Sequence, residues 1–370
     1  FRSIIIHNLT GGEGHDDGIG GSGGLSFGIS LTSSTDNTFE ELIISDLFGS
    51  EGSSGNFSAG VVIRTSNSFD NTLTPTFSDN GWNKVDSTKL NTINGQPILF
   101  FYNIDNLYVS DFNVSTTTAP IMVDVFCVYY SDSSTDYSCS FGGITSSGYP
   151  QHTAPNGGTA SGLFLIDVDN SVIKNLNISG FKGVFGDVGS GSPGNRGGLA
   201  GLLSGIYSDG SSNNSFQNLR IFNLTGGQGG NGGHSTVSSG GEGGTTVGLY
   251  LKESANNTVV NSLFENLVGG KGGGGKGSGG MGGVATAFFF TKSDVNILTN
   301  NTVYNITGGK GGNSTDYSGG TGGISAGIIA TNITAVDHAN AAIAKLDTAI
   351  ASMNSQRATF GSAINRLEYA

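Results

Sequence analysis

Residues 296–312, NILTNNTVYNITGGKGG, decide the fold once two earlier stretches are set above them: NTVVNSLFENLVGGKGG at 257–273 and NSFQNLRIFNLTGGQGG at 214–230. Asparagines fall into three columns: Asn214, Asn257 and Asn296; Asn218, Asn261 and Asn300; Asn223, Asn266 and Asn305. Apolar columns run between them, Phe216 with Val259 and Leu298, and Ile221 with Phe264 and Val303. A second run recurs as FGISL, AGVVI, SGLFL, SGIYS, VGLYL, TAFFF and AGIIA. Its small-residue column is Gly28, Gly60, Gly162, Gly205, Gly248, Ala287 and Gly327.

Looser copies precede these, in IIIHNLTGGEG, DNTFEELIISDLFGSEG and DNSVIKNLNISGFKG. The repeat spacing is about 38 to 46 residues where the pattern is clean, the range of solenoids and arrays. Between 71 and 160 the aromatic segments FSDNGW and FCVYY disturb it. Short strands joined by Asn/Gly turns, repeating so that like stacks on like, predict a mainly β chain. The form expected is a right-handed parallel β-helix, a β-solenoid of about eight passes over residues 1–333. No pass can bury its apolar face alone, whereas passes stacked ~4.8 Å apart share one core. A leucine-rich horseshoe and a propeller fit less well: the asparagine-leucine motif is missing and Trp82 is the only tryptophan.

The glycine tracts GGQGGNGG, GGKGGGGKGSGGMGG and GGKGG lie between the two strand types and keep a three-residue rhythm. An extended helix with three residues per turn has no internal hydrogen bonds, so stacked neighbours must satisfy its backbone. Irregular loops are the competing expectation. The asparagine column at 223, 266 and 305 is likewise open to two readings, a stripe of glycans or a ladder of side-chain amides. Asn266 is followed by Leu-Val and has lost its sequon, which favours the ladder there.

Composition narrows the function. Charged residues are 12% of the chain and the net charge is −12, which offers nucleic acid no basic face. No apolar run reaches the ~18 residues of a membrane-spanning helix. The chain opens on Phe1 without a leader, as a mature or truncated product would. Eleven Asn-x-Ser/Thr sequons begin at Asn8, Asn56, Asn113, Asn177, Asn213, Asn223, Asn256, Asn300, Asn305, Asn313 and Asn332. That density suits an extracellular or cell-surface protein with N-linked glycans as partners. Cys127 and Cys139 are the only cysteines, too few for a zinc site, and a disulfide between them would contribute about 3 kcal/mol.

No catalytic or cofactor constellation emerges. GGGGKGS at 272–278 resembles a phosphate loop, but Gly277 stands where Ser or Thr must follow the lysine. GGEGHD at 11–16 matches one calcium-binding nonapeptide without tandem copies. Carboxylate pairs that a polysaccharide-cleaving site would need occur as Asp16 with Asp17, Asp132 with Asp136, and Asp167 with Asp169. Each is better explained as turn chemistry. His7, His15, His152 and His234 recur in no pattern. The expectation is a protein that is not an enzyme and holds neither metal nor cofactor.

From 334 the composition switches. Val336, Ala339, Ile343, Leu346, Ile350, Met353, Arg357, Phe360, Ile364 and Leu367 alternate three and four apart, a coiled-coil seam of about five heptads. As one helix the segment would reach ~50 Å. KLDTAIASMNSQRATFGSAINRLEYA resembles the carboxy-terminal core helix of bacterial flagellins, with Leu346, Ile350, Gln356, Arg357, Asn365, Arg366 and Leu367 in matching places. The family's amino-terminal helices and the end of its carboxy-terminal helix have no counterpart. The resemblance implies that 334–370 assembles copies of the chain into a helical polymer through Ile343, Leu346, Ile350, Met353, Phe360, Ile364 and Leu367, while 1–333 projects outward. A self-assembling subunit of an extracellular filament is therefore the first expectation. The alternatives are a surface adhesin that binds glycans and, less favoured, a polysaccharide-degrading enzyme.

Overall fold

The computed structural model describes residues 1–10, 26–48, 58–63, 69–116, 119–123, 127–128, 138–139, 158–186, 197–232, 238–315 and 318–331. The described chain is mainly β, and its sheets are largely parallel. Successive copies of the repeat pair strand for strand. Ile173, Phe216, Val259 and Leu298 are in register, as are Ile178, Ile221, Phe264 and Val303, matching the apolar columns of the sequence. Their side chains form one continuous cluster, with Phe216, Ile221 and Phe264 fully buried.

Local sequence explains why these strands are short and bent. In Arg220–Thr225 the inward residues are Ile221 and Leu224, three apart rather than two. Strict alternation would put Asn223 inside. Asn223 instead takes a left-handed backbone (φ 55°), which turns the chain and re-aims Leu224 at the core. Asn266 and Asn305 repeat the device (φ 53° each). Asparagine tolerates this region better than other side-chain-bearing residues. The column is therefore set first by backbone geometry.

The buried column at Asn214, Asn257 and Asn296 has a different role. Oδ1 of Asn257 accepts from the Asn214 amide and Oδ1 of Asn296 from the Asn257 amide, both at 2.9 Å. Nδ2 of Asn257 donates to the Ser211 carbonyl at 3.1 Å. A serine column runs beside it, where Ser254 Oγ accepts from the Ser211 amide and Ser293 Oγ from the Ser254 amide, both at 3.0 Å. These side chains satisfy backbone donors at corners where no strand can.

Among the described residues the largest sheet has nine strands, including Ser58–Ile63, Leu99–Tyr102, Thr159–Ile166, Leu203–Asp209, Thr246–Lys252, Ala285–Thr291 and Ser325–Thr331. Leu163 and Leu165 of Thr159–Ile166 face the main core, while Phe164 and Ile166 face a second cluster built by the amino-terminal strands. Burial on both sides explains the unbroken apolar run SGLFLI. The small-residue column faces the main core, where a Cβ on Gly205 would come within 2.5 Å of Ile221.

One reversal interrupts the in-line repeat expected over 1–333. Ala119–Val123 runs parallel to Ser58–Ile63 but antiparallel to Thr159–Ile166, with Ile121 opposite Ser161. The amino-terminal strands thus form their own ladder, joined edge to edge to the second. The disturbed segment also contains a hairpin, Thr76–Asp79 with Trp82–Val85. Its turn residues Asn80 and Gly81 both have positive φ (50° and 83°), as a tight hairpin turn requires. Residues 334–370, with the heptad seam, lie outside the described residues.

The glycine tracts are ordered backbone layers rather than irregular loops. Gly241 donates to Gly230, Gly273 to Gly241, Gly280 to Gly273 and Gly312 to Gly280, at 2.8–2.9 Å. A second chain of bonds, three residues along, links Gly227, Gly244, Gly270, Gly283 and Gly309. Outgoing and returning tracts therefore alternate in two layers of extended, threefold backbone. A Cβ on Gly273 would lie 1.9 Å from the Gly230 carbonyl oxygen, so only glycine fits. The third position of the period stays open and takes side chains such as Gln228, Lys271 and Lys310.

Candidate functional site

An open cleft of about 240 Å³ lies at the seam between the two ladders. Its wall is aromatic because Leu99–Tyr102 brings Phe100 and Tyr102 alongside Phe69. The Phe69 ring centroid lies 5.7 Å from that of Tyr102 and 6.0 Å from that of Phe100. Its rim is polar, with Asp36, Asp70, Asn71, Asn103 and a row of threonines. Some of these groups are committed to structure. Asn71 Oδ1 accepts from the Asn37 amide, and Thr74 Oγ1 donates to the Ile98 carbonyl. Asp36 and Asn103 both sit at left-handed turns (φ 57° and 50°).

Electrostatics around the cleft are acidic. Burial raises the Tyr102 phenol pKa, and the carboxylates of Asp70 and Asp167 push it further in the same direction. Asp167 is itself raised, first by desolvation and then by Asp209 and Asp169. Lys252 Nζ bonds Asp209 at 2.8 Å.

From the cleft an aromatic column continues along the sheet, Phe100, Phe164, Tyr207, Tyr250 and Phe289, each in register with the next. Centroids are 5.2–6.2 Å apart, and the Tyr207 and Tyr250 planes differ by only 9°. Phe164 is covered by the amino-terminal ladder, whereas Tyr250 and Phe289 are half-buried.

The sequence-predicted residues fall into three groups. Asn8, Asn113, Asn177, Asn213, Asn223, Asn256, Asn300, Asn305 and Asn313 are all exposed, so every described sequon is open to solvent. Asn56 and Asn332 lie outside the described residues. The amide ladder exists on the same column: Asn305 Nδ2 donates to Asn266 Oδ1 at 3.1 Å, and Asn266 Nδ2 to Asn223 Oδ1 at 3.0 Å. Ladder and exposure therefore coexist. Cys127 and Cys139 are backbone partners in an antiparallel strand pair.

Of the carboxylate pairs, only Asp167 and Asp169 are described. Asp167 occupies a left-handed turn (φ 52°), and Asp169 accepts from the Ser212 amide at 2.5 Å. The assembly residues Ile343 to Leu367 and the pairs at 16–17 and 132–136 lie outside the described residues.

Sequence reasoning missed the cleft, because the strand Leu99–Tyr102 that forms its wall lies within the stretch from 71 to 160 where the repeat is disturbed, and Phe69 stands at the edge of that stretch. The register of Leu99–Tyr102 with Leu163–Ile166 was the available signal: LFFY and LFLI are copies of one strand.

No protein-family model matches the sequence, and no curated protein matches it. Among solved structures the chain is similar to the Streptococcus pneumoniae surface protein and adhesin PfbA. The match is 10% identical over 88% of this chain and 83% of that one, with a TM-score of 0.15, too low to carry an argument. Among the described residues no helix is long and apolar enough to cross a membrane, and no group of three or more His, Cys, Asp or Glu is placed to hold a metal ion.

Proposed function

We propose that the chain is a parallel β-helix serving as the body of an extracellular filament or surface appendage, with residues 334–370 as its polymerisation element. The observation that carries this reading is where the recurrent side chains are used. Ser211, Ser254 and Ser293, with Asn214, Asn257 and Asn296, each spend their hydrogen bonds holding one level of the stack to the next. The glycine layers do the same with backbone alone. A chain whose repeated chemistry is committed to stacking suits a stiff, non-catalytic structural role. The exposed sequons suit a glycosylated outer surface. The flagellin-like segment follows directly after Ser325–Thr331, the last strand of the large sheet.

Electron microscopy of the full chain and of a chain ending at residue 333 tests the proposal. The full chain is expected to form regular helical polymers, and the shortened one to stay folded and monomeric by circular dichroism and light scattering. Ordered filaments from the shortened chain, or none from the full chain, would overturn the assignment of assembly to 334–370. A second reading, a glycan-binding surface adhesin, is favoured by the open aromatic cleft.

A further inference from the structure

We propose that the cleft between Phe69, Tyr102, Asp36 and Asp70 binds one neutral sugar ring of a polysaccharide. The inference is independent of the filament reading, because it uses only residues within the described ladders.

Four observations define the ligand. First, size: about 240 Å³ is below the ~300 Å³ at which pockets begin to enclose drug-sized molecules. It suits a single ring whose neighbours in an oligomer pass out through the open side.

Second, the wall: Phe69 and Tyr102 are half-buried, tilted 48° to each other, and both border the cleft, which gives it an aromatic wall. Aromatic faces carry negative charge density, and the polarised C–H groups on one side of a pyranose are its natural partners.

Third, the rim: Asp36 and Asp70 are exposed, and among the described residues no hydrogen bond engages their side chains or that of Asn103. Two carboxylates and an amide near an apolar wall offer acceptors for adjacent hydroxyls, the few convergent polar groups that fix orientation in a largely preformed site.

Fourth, charge: the rim carries the carboxylates of Asp36 and Asp70, and Asp70 and Asp167 act together on Tyr102, so the site repels anions. Uronic and sialic acids are therefore excluded, since like charges brought together in a partly desolvated site are strongly unfavourable.

A quaternary ammonium group is the obvious competitor, because aromatic faces and carboxylates also attract cations. The polar lining decides against it. Thr72 and Thr76 continue the rim beside the two carboxylates and Asn103, hydrogen-bonding groups that sugar hydroxyls can use and a quaternary ammonium, which has no N–H or O–H, cannot.

The test is titration calorimetry with saturation-transfer NMR on the full chain. The probes are cellohexaose, maltohexaose and mannohexaose as neutral ligands, trigalacturonate as the anionic one and choline chloride as the cationic one. At least one neutral hexasaccharide is expected to bind, with saturation transfer to ring C–H protons, while trigalacturonate and choline do not. Tyr102→Leu and Asp70→Asn should each weaken that binding at least tenfold, while Tyr304→Leu, far along the stack, leaves it unchanged. Asp70 is exposed, so Asp70→Asn probes the site without threatening the fold. Binding of choline but no neutral sugar, binding of trigalacturonate as tight as the neutral probes, no binding by any neutral probe, or binding indifferent to Asp70→Asn would each overturn the proposal.

Discussion

Gly248 lies directly beneath the ring of Phe264: a Cβ built on Gly248 would stand 2.3 Å from Phe264 Cδ1. The two residues belong to facing sheets of the main core, and the missing side chain of one is the space filled by the other. One level on, Ala287 continues the glycine column and Val303 stands in register with Phe264. The smaller valine leaves room for one methyl, so large and small residues exchange across the core while its width is kept.

Gly248→Ala should therefore overpack the core and destabilise the protein by about 1–3 kcal/mol. Pairing it with Phe264→Val, which copies the next level, should recover part of the loss. Chemical denaturation of the single and double variants measures both, and equal stability of Gly248→Ala and the parent would contradict the tight contact.

In the glycine layers, position within the three-residue period should matter more than the number of glycines. Gly273→Ala meets the Gly230 carbonyl at 1.9 Å, whereas Lys271 stands at the open position. Hydrogen exchange is expected to show faster exchange of the Gly241 and Gly280 amides in Gly273→Ala, and no change in Lys271→Ala. Fast exchange of these amides in the parent protein would contradict the bonded layers.

The two kinds of asparagine should respond differently to truncation. Asn257→Ala leaves the Asn214 amide and the Ser211 carbonyl buried without partners, at a cost of about 2–4 kcal/mol. Asn218→Ala on the exposed column loses mainly the ease of a left-handed residue, about 1 kcal/mol. Thermal unfolding of both variants ranks them, and a larger loss at Asn218 would reverse the roles assigned here.

Glycan mapping by mass spectrometry on protein from a glycosylating host should find sugar on Asn223 and Asn305 and none on Asn266. All three share one turn geometry, with φ 53–55°, so the hydroxyl two residues on is the deciding difference. Each Nδ2 keeps one proton after glycosylation, so sugar on Asn305 is compatible with its bond to Asn266. Sugar on Asn266, or bare Asn223 and Asn305 beside other occupied sequons, would contradict the expectation.

Much of the fold was legible because its parts repeat. A column such as Ile221, Phe264 and Val303 can be read by eye, since stacking copies of one strand in register demands the same residue class at the same place. The three asparagine columns were equally visible, but their reasons were not. The first is a buried hydrogen-bonding ladder, and the second and third are left-handed turns with amides linked on the outside. One residue type serves both ends because its backbone tolerance and its amide are independent properties.

What the sequence determined by itself was therefore the β class, the parallel register of the clean repeats and the three-residue period of the glycine tracts, since each is a local rule applied many times. Only the tertiary structure decided the rest. It reverses the chain between Ala119–Val123 and Thr159–Ile166, bonds the glycine tracts into two layers, and brings Phe69 and Asp70 to Tyr102 in an open cleft. These features occur once each or arise between distant segments, and a contact made once leaves no period in the sequence from which to read it.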